Sequence, residues 1–366
     1  MEPTTIKKVE LLAPAGDINS LRAAIEAGCD AVYLGGKQFG ARAYSNNFTK
    51  EDLVEAIKLC HLYGVKVYVT CNTIIYENEV PDFLDYVRFL HQNNVDAILI
   101  QDLGMLDLVH KKFPNLEIHS STQMHIHNLD DVKLMERLGI KRVVLARETS
   151  ITAIKNIKTH SNIDLEIFVH GSLCISYSGE CLMSSLIGGR SGNRGMCAGT
   201  CRLPYNVLSN HKIINKNEPY PLSTKDLNSL ENLEELLNTG ITSLKIEGRM
   251  KSSDYVYCVV KLYRQAIDSY YKYGKVIIDY MRRRFYFLPF EEGKIDMGGA
   301  PALWNVSILP RNERFEITTI WDSMKDAVAF GDEVININGT SLKDCPMSQM
   351  AVEEIMNAIP GDTGYI

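Results

Sequence analysis

Residues 9–36 read VELLAPAGDINSLRAAIEAGCDAVYLGG. The apolar run Val9–Ala13 predicts a strand. From Asp17 to Ala27 apolar side chains recur at helical spacing between a capping aspartate and Gly28, which predicts a helix that stops there. Ala31–Leu34 is again short and apolar, and Gly35 and Gly36 end it. Strand, helix, strand in so few residues is a βαβ unit. Strands without polar alternation belong to a parallel sheet covered on both faces.

Working outward, the unit repeats. Further apolar runs at Lys66–Cys71, Ala97–Ile100, Glu117–Ser120, Arg142–Ala146, Leu165–Val169 and Ser243–Ile246 predict strands. Helices are predicted at Lys50–Leu62 (closed by Gly64), Val80–Asn93, Leu103–His110, Leu129–Leu138, Leu227–Leu237 and Lys251–Tyr273. Eight such units in about 260 residues fit an α/β chain folded as a (β/α)8 TIM-type barrel. A doubly wound open sheet is the competing architecture, but no G-x-G-x-x-G follows the first strand.

A barrel places its chemistry at the C-terminal ends of its strands. Polar residues stand at every such end. They include Asn72, Asp102 after Gln101, Gln123, Arg147 with Glu148, His170, and the alternating set Lys245, Glu247 and Arg249. Alternation puts those last three on one strand face. Arg249 is the expected bidentate clamp for a carboxylate, and an ion pair between Lys245 and Glu247 is the plain structural expectation.

The seventh strand runs into EIFVHGSLCISYSGECLMSSLIGGRSGNRGMCAGTCR, Glu166–Arg202. Cys174, Cys181, Cys197 and Cys201 follow a C-x6-C-x15-C-x3-C spacing among glycines and serines. Structural zinc usually takes paired C-x2-C knuckles, so these wide spacings favour an iron–sulfur cluster. Zinc and plain reduced thiols are the alternatives. Cys29, Cys60, Cys71, Cys258 and Cys345 sit among apolar neighbours and are expected to pack. Between Leu182 and Lys225 six basic residues, among them Arg190, Arg194 and Arg202, meet a single acid, Glu218. In a chain of net charge −6 this is a local basic rim suited to phosphate or carboxylate.

The whole composition, 45% hydrophobic and 23% charged, is that of a globular protein without a polycationic signature. No apolar run of membrane-spanning length and no signal-peptide core is visible, so a cytoplasmic location is expected.

The residues E-x-F-x-H-G-S-L-C and S-G-x-C-L-M-S resemble the signature of the U32 peptidase family, long labelled collagenase-like. LLAPAGD (Leu11–Asp17), AVYLGG (Ala31–Gly36), STQMHIHN (Ser121–Asn128), LSTKDL (Leu222–Leu227) and SLKIEGRMKS (Ser243–Ser252) add to the likeness. The resemblance covers residues 8–275. It implies a barrel holding a [4Fe–4S] cluster on Cys174, Cys181, Cys197 and Cys201. It also implies an RNA base hydroxylase acting on a tRNA uridine or a 23S rRNA cytidine, with prephenate as partner metabolite. QFGARAY and SSLIGGRSGNRG look more like the ribosomal-RNA branch. A collagenase-like peptidase is the alternative, although neither H-E-x-x-H nor G-x-S-x-G occurs. On this reading the barrel domain is 8–275 with the cysteine loop at 172–224, and 276–295 is a linker. Residues 296–366 resemble part of a PDZ domain through FGDEVININGTSL, which implies a protein-interaction module with a peptide partner.

Overall fold

The structure, a computed structural model, describes residues 8–276 apart from Gly179. It also describes the backbone of the short strands Val306–Arg311, Arg314–Ile320, Asn336–Ile337 and Thr340–Ser341. Residues 277–295 of the linker, Cys345 and all of the PDZ-like segment except those short strands lie outside the described residues.

The first half of the barrel is β1 (Glu10–Pro14), α1 (Ile18–Ala27), β2 (Ala31–Leu34), α2 (Lys50–Leu62), β3 (Lys66–Cys71), α3 (Val80–Gln92), β4 (Ala97–Ile100) and α4 (Leu103–Lys112). The second half is β5 (Glu117–Ser120), α5 (Leu129–Arg137), β6 (Arg142–Val144), α6 (Ile151–His160), β7 (Asp164–Gly171), α7 (Met183–Gly188), α8 (Leu233–Leu237), β8 (Ser243–Ile246) and α9 (Ser253–Tyr273). Each strand from β1 to β7 pairs in parallel with the next. β8 then lies between β7 and β1, with Lys245 opposite Leu12, and closes the ring. The barrel is therefore closed, and the open-sheet alternative falls.

Local chemistry sets the boundaries. α1, α2, α4, α5, α6 and α9 start on Asp17, Thr49, Asp102, Asn128, Ser150 and Ser252, whose side chains accept hydrogen bonds from first-turn N–H groups. α1 ends where Gly28 takes φ 92°, a left-handed conformation that costs other residues more.

One expectation needs correction, and one helix was not predicted. Leu227–Leu237 is not one helix. Leu227 and Asn228 pair antiparallel with Gly171 and His170, and the helix begins only at Leu233. The Asn228 side chain accepts from the Leu230 N–H and turns the chain there. The helix Ile151–His160, in turn, was not visible as an apolar pattern, because it buries only Ile154 and Ile157. Arg202–Asp226 separates from the barrel into a second compact unit. Within that unit Arg202 donates to Ser223 Oγ at 2.8 Å and Thr224 Oγ1 at 3.0 Å. No helix among the described residues is long and apolar enough to cross a membrane.

Inside the ring, Leu12, Tyr33, Leu99, Val144 and Phe168 form an apolar layer. Below it, toward the strand N-termini, lies a buried charge network. Lys245 Nζ donates to Glu166 Oε1 at 2.9 Å, Arg142 reaches Glu166 Oε2 at 3.3 Å, and Arg142 Nη2 reaches Glu10 Oε2 at 3.2 Å. Burial opposes ionisation of Glu166, but Lys245 and Arg142 outweigh it and hold its carboxyl below the usual range. Glu166→Gln leaves both cations facing a neutral amide. It should destabilise the fold by about 3–5 kcal/mol, read from denaturant unfolding at neutral pH. Because the folded carboxyl is the stronger acid, this stabilisation is full above the unfolded pKa of about 4.3 and is lost as the pH falls through the folded value. The gap between variant and wild type should therefore narrow in acid.

Candidate active site at the barrel mouth

The mouth is organised by the end of β8. Glu247 Oε1 accepts from Arg42 Nη2 at 3.3 Å and Oε2 from Arg147 Nη2 at 3.0 Å. Burial again opposes ionisation of this carboxyl, and Arg42, Arg147 and Arg249 outweigh it and keep it anionic. Arg42 comes from the loop after β2 and Arg147 from the end of β6, so one carboxylate ties three strand ends together.

Arg249 differs from its neighbours. It is 4% exposed, and its guanidinium donates to Thr70 Oγ1 at 3.0 Å. No carboxylate pairs with it among the described residues. Burial lowers its pKa to about 10. The backbone makes room for it: a Cβ on Gly35 would stand 2.3 Å from Arg249 Nη1 and 2.9 Å from Thr70 Oγ1. Beneath lie two rings. Tyr33 has Lys245 Nζ 4.3 Å from its centroid and the Arg249 guanidinium at 5.9 Å, while the Arg147 guanidinium sits 4.2 Å from that of Phe168. Two buried atoms at the mouth, Gln123 Oε1 and Arg147 Nε, lack hydrogen-bond partners among the described residues. Such atoms call for a ligand or water. Three arginines around one glutamate leave the mouth with an excess of positive charge.

The remaining strand-end residues divide. Lys245 pairs with Glu166, not with Glu247 as expected, because its side chain reaches toward the strand N-termini. His170 turns away from the mouth. The β7–β8 register slips so that Ile246 faces His170 rather than Val169, and the extra residue rotates the imidazole toward α9. There its ring packs on Tyr255 and Tyr263, with Nδ1 at 3.4 Å from the Tyr263 hydroxyl. Asn72 bridges Ala41 N and Ser121 Oγ, and Asp102 caps α4. Arg42, Tyr33 and Thr70 belong to the site. Of these, Arg42 was visible as a strand-end residue, but nothing in its spacing singled it out.

The cysteine loop is seated on this mouth. Glu148 accepts from the Ser178 hydroxyl at 3.2 Å, Gln101 and Asn193 exchange amide hydrogen bonds, and Ala43 N donates to Gly195 O at 3.1 Å. Cys174 and Cys197 are exposed, and Cys181 and Cys201 are half-buried. The other described cysteines are buried instead: burial pushes Cys60 and Cys258 up to about 12, and Cys29 and Cys71 higher. These four are packing residues, as expected. Among the described residues no three His, Cys, Asp or Glu side chains converge as metal ligands do. The donor set nevertheless suits a thiolate-bound group. Gly199 N donates to Cys197 Sγ at 3.4 Å, and Gly192 lies beside both the Cys181 carbonyl and the Cys197 side chain.

The sequence pattern of peptidase family U32 matches residues 16–284. The chain belongs to that family. It is 40% identical over 270 residues to tRNA hydroxylation protein P1 of Bacillus subtilis, a match covering 72% of this chain and 64% of the relative. It is 40% identical over 262 residues to the 23S rRNA 5-hydroxycytidine C2501 synthase of Escherichia coli, covering 72% and 40%. A collagenase of Porphyromonas gingivalis is 34% identical over 280 residues, covering 72% and 67%. The chain thus spans under two thirds of each of the two RNA-hydroxylation relatives.

An unpaired buried guanidinium costs folding energy. Arg249→Met should raise the unfolding free energy by about 1–3 kcal/mol in denaturant titration. A loss of stability would instead make Arg249 a structural residue held by Thr70.

Proposed function

We propose that this U32 barrel is the catalytic part of an iron–sulfur-dependent RNA base hydroxylase acting on a tRNA uridine or a 23S rRNA cytidine. The observation that supports it most is a thiol-bearing loop seated on an arginine-lined mouth, in a chain 40% identical to two relatives named for tRNA and rRNA hydroxylation. Cys174, Cys181, Cys197 and Cys201 would hold a [4Fe–4S] cluster, which when bound supplies one-electron transfer or a Lewis-acidic iron.

The chain's own residues do the positioning. Arg249, with Arg42 and Arg147 beside it, receives the carboxylate of a small metabolite such as prephenate. Glu247 keeps the flanking arginines in place. Gln123 offers its unpartnered Oε1 to a base N–H. Burial of the mouth excludes water and strengthens each of these contacts. A peptidase reading, which the collagenase likeness carries, needs a base near a nucleophile, and His170 lies against the α9 tyrosines instead.

Two measurements test the proposal. Single Cys→Ser changes at Cys174, Cys181, Cys197 and Cys201 should each remove iron and the broad visible absorption from anaerobically purified protein, whereas Cys60→Ser should retain both. Full iron retention in a Cys197→Ser, Cys201→Ser double variant would refute the ligand set. For activity, the full chain is expressed in cells lacking pyrimidine hydroxylation, and their RNA nucleosides are examined by mass spectrometry. A pyrimidine nucleoside heavier by one oxygen is expected, reduced about tenfold or more in Arg249→Lys, which keeps the charge but loses the fork. Iron-loaded protein that yields no such nucleoside overturns the proposal.

A further inference from the structure

We propose that Tyr44 and Tyr76, each stacked by an arginine of the cysteine loop, form a platform on which unpaired nucleobases of a single-stranded RNA segment stack beside the mouth. The proposal rests on the RNA reading above and assigns the surface that would grip the substrate.

Two matching pairs carry it. The Arg190 guanidinium lies 4.8 Å from the Tyr44 ring centroid, and that of Arg194 lies 4.2 Å from the Tyr76 ring centroid. Both tyrosines are 56% exposed, a large aromatic surface to leave in water. Neither arginine is loose. Arg190 Nε donates to Met196 O at 3.1 Å, and Arg194 grips Glu79 through both nitrogens at 2.6 and 3.0 Å. The Arg194 fork in turn holds the Glu79 carboxyl below its usual range.

The backbone fixes the pairs relative to each other. Residues 190–196 cross from the loop after β2, where Ala43 N donates to Gly195 O, to the loop after β3, where Ile74 N donates to Asn193 Oδ1 at 3.4 Å. A cleft of about 280 Å³ is lined by Ala43, Glu79 and Arg194 and so touches the second pair and the residue before Tyr44. Cys197 follows at once, and Arg42, two residues before Tyr44, bonds Glu247. The platform therefore leads into the mouth.

The chemistry of the pairs selects the partner. A guanidinium on a phenol ring gives a flat π surface with positive charge beside it, which suits a base and its phosphate together. Arg194 is neutralised by Glu79, but Arg190 has no carboxylate partner among the described residues, so its charge remains for a phosphate. Bases stacked inside a duplex present no face to such a surface, so the ligand is an unpaired loop rather than a helix.

The test uses the full chain and a fluorescently labelled RNA hairpin with an unpaired loop, read by anisotropy, against a fully paired duplex of the same length. Wild type should bind the hairpin more tightly than the duplex. Tyr44→Ala and Tyr76→Ala should each weaken hairpin binding about tenfold, while Tyr44→Phe and Tyr76→Phe keep it within about twofold because the ring remains. The Phe variants also show that any loss belongs to the ring and not to misfolding. Hairpin affinity unchanged in both Ala variants, equal losses in the Phe variants, or equal binding of hairpin and duplex by wild type would each overturn the platform alone. Wild-type protein that binds neither RNA at low salt would overturn the RNA reading as well.

Discussion

One buried carboxylate, Glu247, sets the geometry of the mouth. By bonding Arg42 and Arg147 it draws the loop after β2 and the end of β6 toward β8. Arg147 is largely removed from water and Arg42 partly so, and the shared anion between them offsets that cost. The third arginine, Arg249, acts on that anion only through space and bonds Thr70 instead. The mouth therefore carries more positive than negative charge, which the proposed carboxylate would offset.

The same logic extends downward through the barrel. Lys245 lies near the rings of both Tyr33 and Phe168, with Arg249 near the first and Arg147 near the second. The lower cation, Lys245, is neutralised by Glu166, and the upper ones are only partly neutralised. Ionic residues fill the lower barrel as structure and its upper end as a site. Residue type alone does not distinguish the two roles; the supply of counter-charge does. A similar contrast separates the cysteines: those on strands and helices are buried, and those of the loop reach the surface.

Much of the barrel was legible because its strands are buried on both faces. β2, β3, β4, β5 and β8 begin and end where their apolar runs do. What escaped had physical causes. α6 turns a mostly polar surface outward, so two buried isoleucines are a weak signal. Leu227 stands at helical spacing from Leu230 and Leu233, yet it packs against the barrel interior as a strand residue. At the site, period-two alternation correctly placed Lys245, Glu247 and Arg249 on the inner side. It gave no depth along the barrel, so the partners of Lys245 and Glu247 could not be read. His170 was misleading for another reason: a register slip on the neighbouring strand is invisible in the sequence of β7 itself. The seating of the cysteine loop through Glu148, Gln101 and Ala43 depends on contacts far apart in the chain, which spacing does not encode.

Arg42 occupies a position with two masters. It is bonded to Glu247 on one side, and a negative charge at Cys197 on the other would favour its cationic form. Any gain of negative charge at the thiols strengthens their hold on Arg42, and any anion entering the mouth competes for the same guanidinium. The two events share one coupling free energy, and such coupling is reciprocal. If filling the mouth makes an electron harder or easier to place on the thiol side, then placing that electron changes the affinity of the mouth by the same factor. On the proposed reading, this one side chain would couple the two halves of the site.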